Sequence, residues 1–283
     1  MGEYILTLSC PDRVGIVAAV SGFLAENDGF ILESHQFGDN STEIFFMRTQ
    51  FVLGENSPSR ESFENKFQDI ANIFQMSWQM RLKEYKPKVL IMASKEGHCL
   101  NALLNKTAMG TLPIEIPAIV SNHEVLKKMA DWYNTPFYHL PVTSDNKKEQ
   151  EKQVVDLIDQ FQIDFVVLAR YMQILSPDFV DRMRGKIINI HHSFLPSFKG
   201  AKPYHQAYER GVKLIGATAH YVSEDLDEGP IIEQEVIRVD HTSTPRKLVA
   251  TGQDIESIAL LRAVQWHAEQ RVFLDGQKTV IFR

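Results

Sequence analysis

Cysteine is scarce in this sequence: Cys10 and Cys99 are the only two. They show no metal-ligand spacing, and no Cys-x-x-Cys or His-x-x-x-His pair occurs. Two free thiols in a reducing compartment are the plainer reading than a disulfide. Long apolar runs are also missing, and none approaches the roughly 18 residues of a membrane span. Met1-Gly2-Glu3-Tyr4 lacks the basic and then apolar pattern of a secretory signal. The expectation is a cytoplasmic protein with no membrane partner. Positive charge is in deficit, with 30 Lys and Arg against 36 Asp and Glu, a net of −6. That argues against a nucleic-acid partner, whose phosphates favour a basic face. It leaves an anionic small substrate open, because one cleft can be positive on an acidic protein. What is present is an ordinary globular composition, 44% hydrophobic and 23% charged over 283 residues. That length suits two domains, each with a buried core.

The first 84 residues read as β-α-β-β-α-β, the split βαβ arrangement. EYILTLSC (3–10) is apolar and β-rich, and Pro11-Asp12 ends it. Val14, Val17, Ala18, Phe23 and Leu24 then recur at helical spacing until Asn27-Asp28-Gly29. Two strands (29–39 and 43–53) flank the turn Asp39-Asn40-Ser41. A helix over 59–74 carries Phe63, Phe67, Ile70 and Phe74 on one face, and SWQMRLKEY (77–85) is a closing strand. The charged stretch ending at Pro87 marks the boundary, giving domains 1–84 and 85–283.

Beyond it, strands alternate with helices. KVLIMAS, EIPAIVSN, PFYHLPV, DFVVLA and KIINI are the strands, and the rhythm predicts a mostly parallel sheet covered on both faces. Residues 215–223 and 230–239 are expected to form an antiparallel pair. A helix through 246–271 and a strand at 279–282 finish the chain. The run KKEQEK (147–152) is expected to be a solvated helix face. Ligands of such sheets bind beyond the carboxyl ends of the strands, which directs attention to Ser94, Arg170, Ile190 and the 223–229 loop.

The densest polar cluster follows KIINI: Asn189-Ile190-His191-His192-Ser193, running on to Lys199-Gly200. Asn189 and His191 are two apart, so on an extended strand they point the same way. One offers an amide donor and the other an imidazole. Four of the ten histidines (His191, His192, His205 and His220) fall within 191–220. The second feature is Glu224-Asp225-Leu226-Asp227-Glu228-Gly229-Pro230, with Asp227 exposed before a Gly-Pro turn. Each alone has a plain reading: a capping device, a turn residue, or, for the histidines, a metal site.

Together they resemble a known family. NIHHSFLPSFKG followed by GATAHYVSEDLDEGPIIEQ is similar to the folate-dependent formyltransferases, and LARYMQIL (168–175) to their folate-pocket segment. The resemblance covers about residues 88–283. It implies a Rossmann-like α/β domain with Asn189, His191 and Asp227 catalytic. It also implies Met172, Ile174 and Leu175 lining an apolar folate slot, with Gln173 and Glu224 among its polar partners. His220 is expected to support the site, and Arg170 or Lys202 to meet the folate's glutamate tail. No metal and no cofactor are implied, since 10-formyltetrahydrofolate is the substrate. In the glycinamide ribonucleotide transformylases of this family a Gly-rich loop after the first strand holds a phosphate at a helix N-terminus. Here that place reads Ser94-Lys95-Glu96-Gly97-His98-Cys99, with bulkier side chains and an acid.

The front domain, with CPDRVGIVAAVSGFLAEN, resembles an ACT domain of ferredoxin-like order. That implies a small amino-acid effector, glycine or methionine, held near Asp12, Arg13 and Gly15, and a homo-oligomer, expected to be a tetramer. An ACT-like front before a formyltransferase-like rear is the order of the family's hydrolytic branch. It implies release of formate from 10-formyltetrahydrofolate, feeding purine synthesis. Transfer to a small amine, a binding regulator with a decayed rear domain, and a metal-dependent hydrolase are the alternatives.

Overall fold

The computed structural model describes residues 2–192 and 203–283 and divides into two compact units. The front unit holds the chain up to Tyr85, with Glu269–Asp275 and Val280–Arg283. Its elements are β1 (Glu3–Pro11), α1 (Ile16–Glu26), β2 (Gly29–Asp39), β3 (Ile44–Leu53), α2 (Arg60–Phe74) and β4 (Ser77–Leu82), in the expected order. The sheet runs β2-β3-β1-β4 and every pairing is antiparallel. Leu6, Leu8 and Cys10 alternate onto the helix-covered face of β1 and meet Val20, Phe23, Phe63 and Phe67. Phe23 meets Phe63 and Phe67 edge-on at 4.9 and 5.3 Å. Each buried ring of this kind contributes about 1.5–3 kcal/mol. Ser59 starts α2 as its N-cap by accepting from the Ser62 N–H at 3.3 Å.

The rear unit holds Lys86–Ala268 and Gly276–Thr279. Its elements are β5 (Lys88–Ala93), α3 (His98–Ala108), β6 (Glu115–Ser121), α4 (Lys127–Trp132), β7 (Phe137–His139), α5 (Lys147–Phe161), β8 (Phe165–Ala169), α6 (Pro177–Arg182), β9 (Ile187–His191), α7 (Pro203–Glu209), β10 (Leu214–Tyr221), β11 (Ile231–Arg238) and α8 (Pro245–Ala268). Sheet order is β11-β10-β9-β8-β5-β6-β7. The strands from β9 to β7 are parallel, and β10 runs antiparallel to both β9 and β11. β8 is buried along its whole length, and β5 from Val89 on. That is why both read as unbroken apolar runs. Among the described residues no helix is long and apolar enough to cross a membrane.

Three local expectations need correction. The helix expected to reach 271 stops at Ala268, and β12 (Val272–Asp275) pairs with β13 (Lys278–Ile281) around Gly276, whose φ is +61°. A four-residue apolar run cannot be told from a helix tail by periodicity. Glu269–Asp275 and Val280–Arg283 also cluster with the front unit, not the rear. Phe273 meets Phe46 at 5.7 Å and Phe282 stacks on His35 at 5.7 Å. Finally, the charged run opening α5 is not wholly solvated. Gln150 and Glu151 are buried. Gln150 Nε2 donates to the Tyr171 hydroxyl at 3.1 Å, and Glu151 Oε1 accepts from the Ser176 N–H at 2.8 Å. Both bonds brace the segment that follows β8.

Candidate active site

β9 delivers the first two polar groups. Ile188 and Ile190 are buried, while Asn189 and His191 alternate with them and are only half-buried. β10 lies antiparallel alongside, with His220 opposite Asn189 and Thr218 opposite His191. A register shift between Ala219 and His220, in the pairing with β11, falls beside the site. Such irregularities re-aim side chains. The His220 ring is nearly sealed, and its Nδ1 lies 2.8 Å from the Tyr221 carbonyl oxygen. A carbonyl only accepts, so Nδ1 carries the proton. Nε2 faces the Asn189 amide nitrogen, 3.3 Å away.

Asp227 comes from the loop between β10 and β11. It adopts a left-handed backbone, φ 58°, which Asp tolerates better than most residues. Its Oδ2 lies 3.3 Å from His191 Nδ1 and its Oδ1 3.7 Å from His220 Nε2. The hydrogen bond from His191, then that from His220, holds this carboxyl well below the usual carboxylate range, against the opposing effect of burial. Asn189, His191, His220 and Asp227 therefore converge on one small space, and its acid is ionised. His192 is different: burial first, and Arg170 second, bring its pKa down to about 4. It is neutral at neutral pH.

Met172 and Ile174 are exposed, 60% and 63%, and Gln173 is half-buried. Two large apolar side chains facing solvent beside a polar site suit an apolar ligand. Leu175 instead packs in the core with Tyr171, Phe179 and Val180, so its side chain anchors the segment. The Glu224 carboxylate is held by Arg184 at 3.0 Å on the surface. Arg170 does not point outward to a glutamate tail. It turns inward, with φ 63° and its Nε 3.4 Å from Glu256. Lys202 lies outside the described residues. His205 is exposed on α7. In the front unit Gly15, φ 100°, precedes α1 with no side-chain cap. The Asp12 carboxylate lies where a side chain at Gly38 would sit. Arg13 bonds the Ile73 carbonyl oxygen and covers the Phe74 ring at 4.6 Å. Arg13 is thus held at the end of α2, and the Phe74 ring it covers is also the neighbour that a Cβ at Gly15 would meet, at 3.8 Å.

Sequence reasoning missed Glu256, Tyr204 and the role of His98. A lone acid among Ile255, Ala259 and Leu260 on the buried side of α8 was the available signal.

A formyl transferase family model matches residues 87–264. A formyltetrahydrofolate deformylase of Corynebacterium sp. (strain P-1) is 50% identical over 99% of this chain and 98% of the relative. The crystal structure of a formyltetrahydrofolate deformylase from Burkholderia mallei superposes with a TM-score of 0.96 at 48% identity, covering all of both chains. A glycinamide ribonucleotide transformylase from Symbiobacterium toebii aligns at TM-score 0.66 and 26% identity, over 70% of this chain and 95% of its own. The full-length likeness thus goes with the deformylases, and the transformylase matches only part of the chain. The chain belongs to the formyl transferase family and, within it, to the formyltetrahydrofolate deformylases.

Proposed function

We infer that the protein hydrolyses 10-formyltetrahydrofolate to formate and tetrahydrofolate, with no cofactor beyond the folate substrate. The observation that carries this reading is the 3.3 Å contact between His191 and an ionised Asp227, beside the Asn189 amide. Water oxygen attacks the formyl carbon, and its proton passes to Asp227, directly or through a second water. The negative charge that develops on the formyl oxygen is met by the Asn189 N–H and by His191 in its protonated form. One such donor is worth about 10²–10³ in rate. The carbon–nitrogen bond then breaks, the folate nitrogen takes the proton back, and formate leaves. His220 fixes the Asn189 amide and does not itself react. Exposed Met172 and Ile174 cover the pterin, and the backbone around Gln173 and Glu224–Asp227 supplies its polar partners.

The test uses the purified protein with 10-formyltetrahydrofolate and nothing else. Formate and tetrahydrofolate should appear in equal amounts, many turnovers per active site. No release until an amine is added would favour the transferase reading.

The front unit is proposed to be an ACT-type sensor of a small amino acid. The uncapped start of α1 after Gly15 supports it, because free N–H groups and the helix dipole favour a carboxylate. β2 is an edge strand with Phe30 and Leu32 exposed. Such an edge suits pairing with a second copy and supports a homo-oligomer. Isothermal titration of glycine and of methionine into the intact protein should show saturable binding of one of them. Absence of heat with both removes the sensor.

A further inference from the structure

The crevice beyond β5 and β8 holds a second polar cluster that the hydrolysis does not use. Glu256 on α8 is 1% exposed. Its Oε2 accepts from His98 Nε2 at 2.7 Å, and its Oε1 from the Tyr204 hydroxyl at 2.7 Å. Arg170 Nε stands 3.4 Å from Oε2. Burial alone would raise this carboxyl's pKa, but His98, Arg170 and Tyr204 outweigh it and hold it below the ordinary value. Taking such ions out of water is costly unless each finds partners. Arg170 also keeps a left-handed backbone, φ 63°, a strained conformation for a residue with a Cβ. Strain and buried charge kept together beside a reaction centre mark a functional constraint.

The cluster's position suggests what the constraint is. In β9, Ile187 packs into the core on the α5 side, and Asn189 and His191 share its parity. After β8, Tyr171 and Leu175 join that same core, whereas Arg170 turns to α8. The segment 172–175 and the Asp227 loop therefore line one side of the reacting groups. The Glu256 cluster lies on the other, where a second substrate would have to reach a formyl carbon. That side is filled. The Tyr204 ring lies flush on α8, so that a Cβ at Gly252 would come within 2.1 Å of it. Gln253 Nε2 donates to Glu96 Oε2 at 3.1 Å and ties the loop before α3 to the same helix. His98 opens α3, and Glu256 gives it an internal carboxylate as partner. Arg170 Nε and Nη1 are buried and make no hydrogen bond among the described residues. Unused donors in a tight space can hold a water, which needs only a few polar partners. A cation is a poor occupant. His98, Cys99 and Glu256 offer ligand atoms within 4.8 Å of one another. But a guanidinium already sits on the carboxylate, and burial pushes the Cys99 thiol far up.

We propose that Arg170, Glu256, His98 and Tyr204 form a built-in plug on the acceptor side, which admits water to the formyl group and excludes amines. This rests on the hydrolysis inferred above. The test compares wild type with Arg170→Gly/Glu256→Gln. Glycine suits the left-handed backbone at 170, and Glu256→Gln removes the charge that the arginine would leave unpaired. Each protein receives 10-formyltetrahydrofolate with and without glycinamide or hydroxylamine, and formate and formylated amine are both measured. The ratio of formylated amine to formate should rise at least about tenfold in the variant, the scale of discrimination that a change in pocket shape supplies. An unchanged ratio in a folded variant overturns the plug. Should the double variant not fold, His98→Ala decides by the same ratio, because it leaves Glu256 paired with Arg170 and Tyr204. Wild-type formate release without amine tests the hydrolysis separately, so failure of the plug is distinguishable from failure of the hydrolysis.

Discussion

Asp227→Asn should lower formate release by about 10²–10⁴, the range for loss of a positioned general base, and leave folate affinity within a few-fold. The substitution is suited to isolating chemistry. Asn has nearly the same shape and tolerates the left-handed backbone, φ 58°, that Asp227 adopts. Its amide still reaches His191 and His220, but it cannot accept a proton from water. Steady-state kinetics with equilibrium binding separates the two effects, and wild-type turnover in the variant would end the assignment. Stability supplies a second readout. The folded pKa of Asp227 lies below that of an unfolded carboxylate, about 3.9, because His191 and His220 favour the ion. Its contribution is complete above that unfolded value and is lost as pH falls through the folded one. Wild type should therefore melt above the variant at neutral pH, and the gap should narrow in acid. Because Asp227 stays ionised, any fall in rate on mild acidification belongs to another group.

How much of this was legible in the sequence follows from how local each feature is. Asn189 and His191 sit two apart on one strand, so their shared direction could be read without coordinates. Asp227 was legible as an exposed acid before Gly229-Pro230, and the family resemblance joined the two motifs. The buried partners were not legible. His98 and Glu256 are 158 positions apart and meet only because α3 and α8 cover the same face of the sheet. Arg170 read as a cation free to meet a substrate tail, since nothing local shows that its backbone turns it inward. Gln150 and Glu151 looked like solvated helix because the run is wholly polar. Their burial depends on the segment after β8 folding onto α5, where they supply the Tyr171 hydroxyl and the Ser176 N–H with partners. Leu175 carried a motif assignment that its packing reassigns to the core. In each case composition named the chemistry available, and tertiary contact decided its use.

Gly229→Ala should disable the protein as thoroughly as losing the acid, without touching a reacting group. A Cβ at Gly229 would fall 1.8 Å from the Tyr221 carbonyl oxygen, 2.9 Å from its carbon and 3.3 Å from the Ser223 nitrogen. All three are backbone, so no side chain can swing away. They are also pinned: the Tyr221 N–H donates to the Pro230 carbonyl oxygen at 2.9 Å, and the Val222 N–H to Ile187 at 2.9 Å. The loop must move instead, and Asp227 is two residues away. Overpacking of this kind costs about 1–3 kcal/mol. A displacement of about 1 Å in a reacting group costs roughly 10² in rate. The variant should melt several degrees lower and lose about 10² or more in kcat, while substrate affinity changes less. The front unit should keep its own amino-acid response, since its residues lie outside this loop. The same substitution at Gly110, where no atom lies within 4 Å of a built Cβ but φ is +71°, serves as the control. It strains the backbone without crowding, so it should lower stability and spare kcat. If both variants lose rate equally, the crowding of Gly229 against Tyr221 does not hold Asp227 in place.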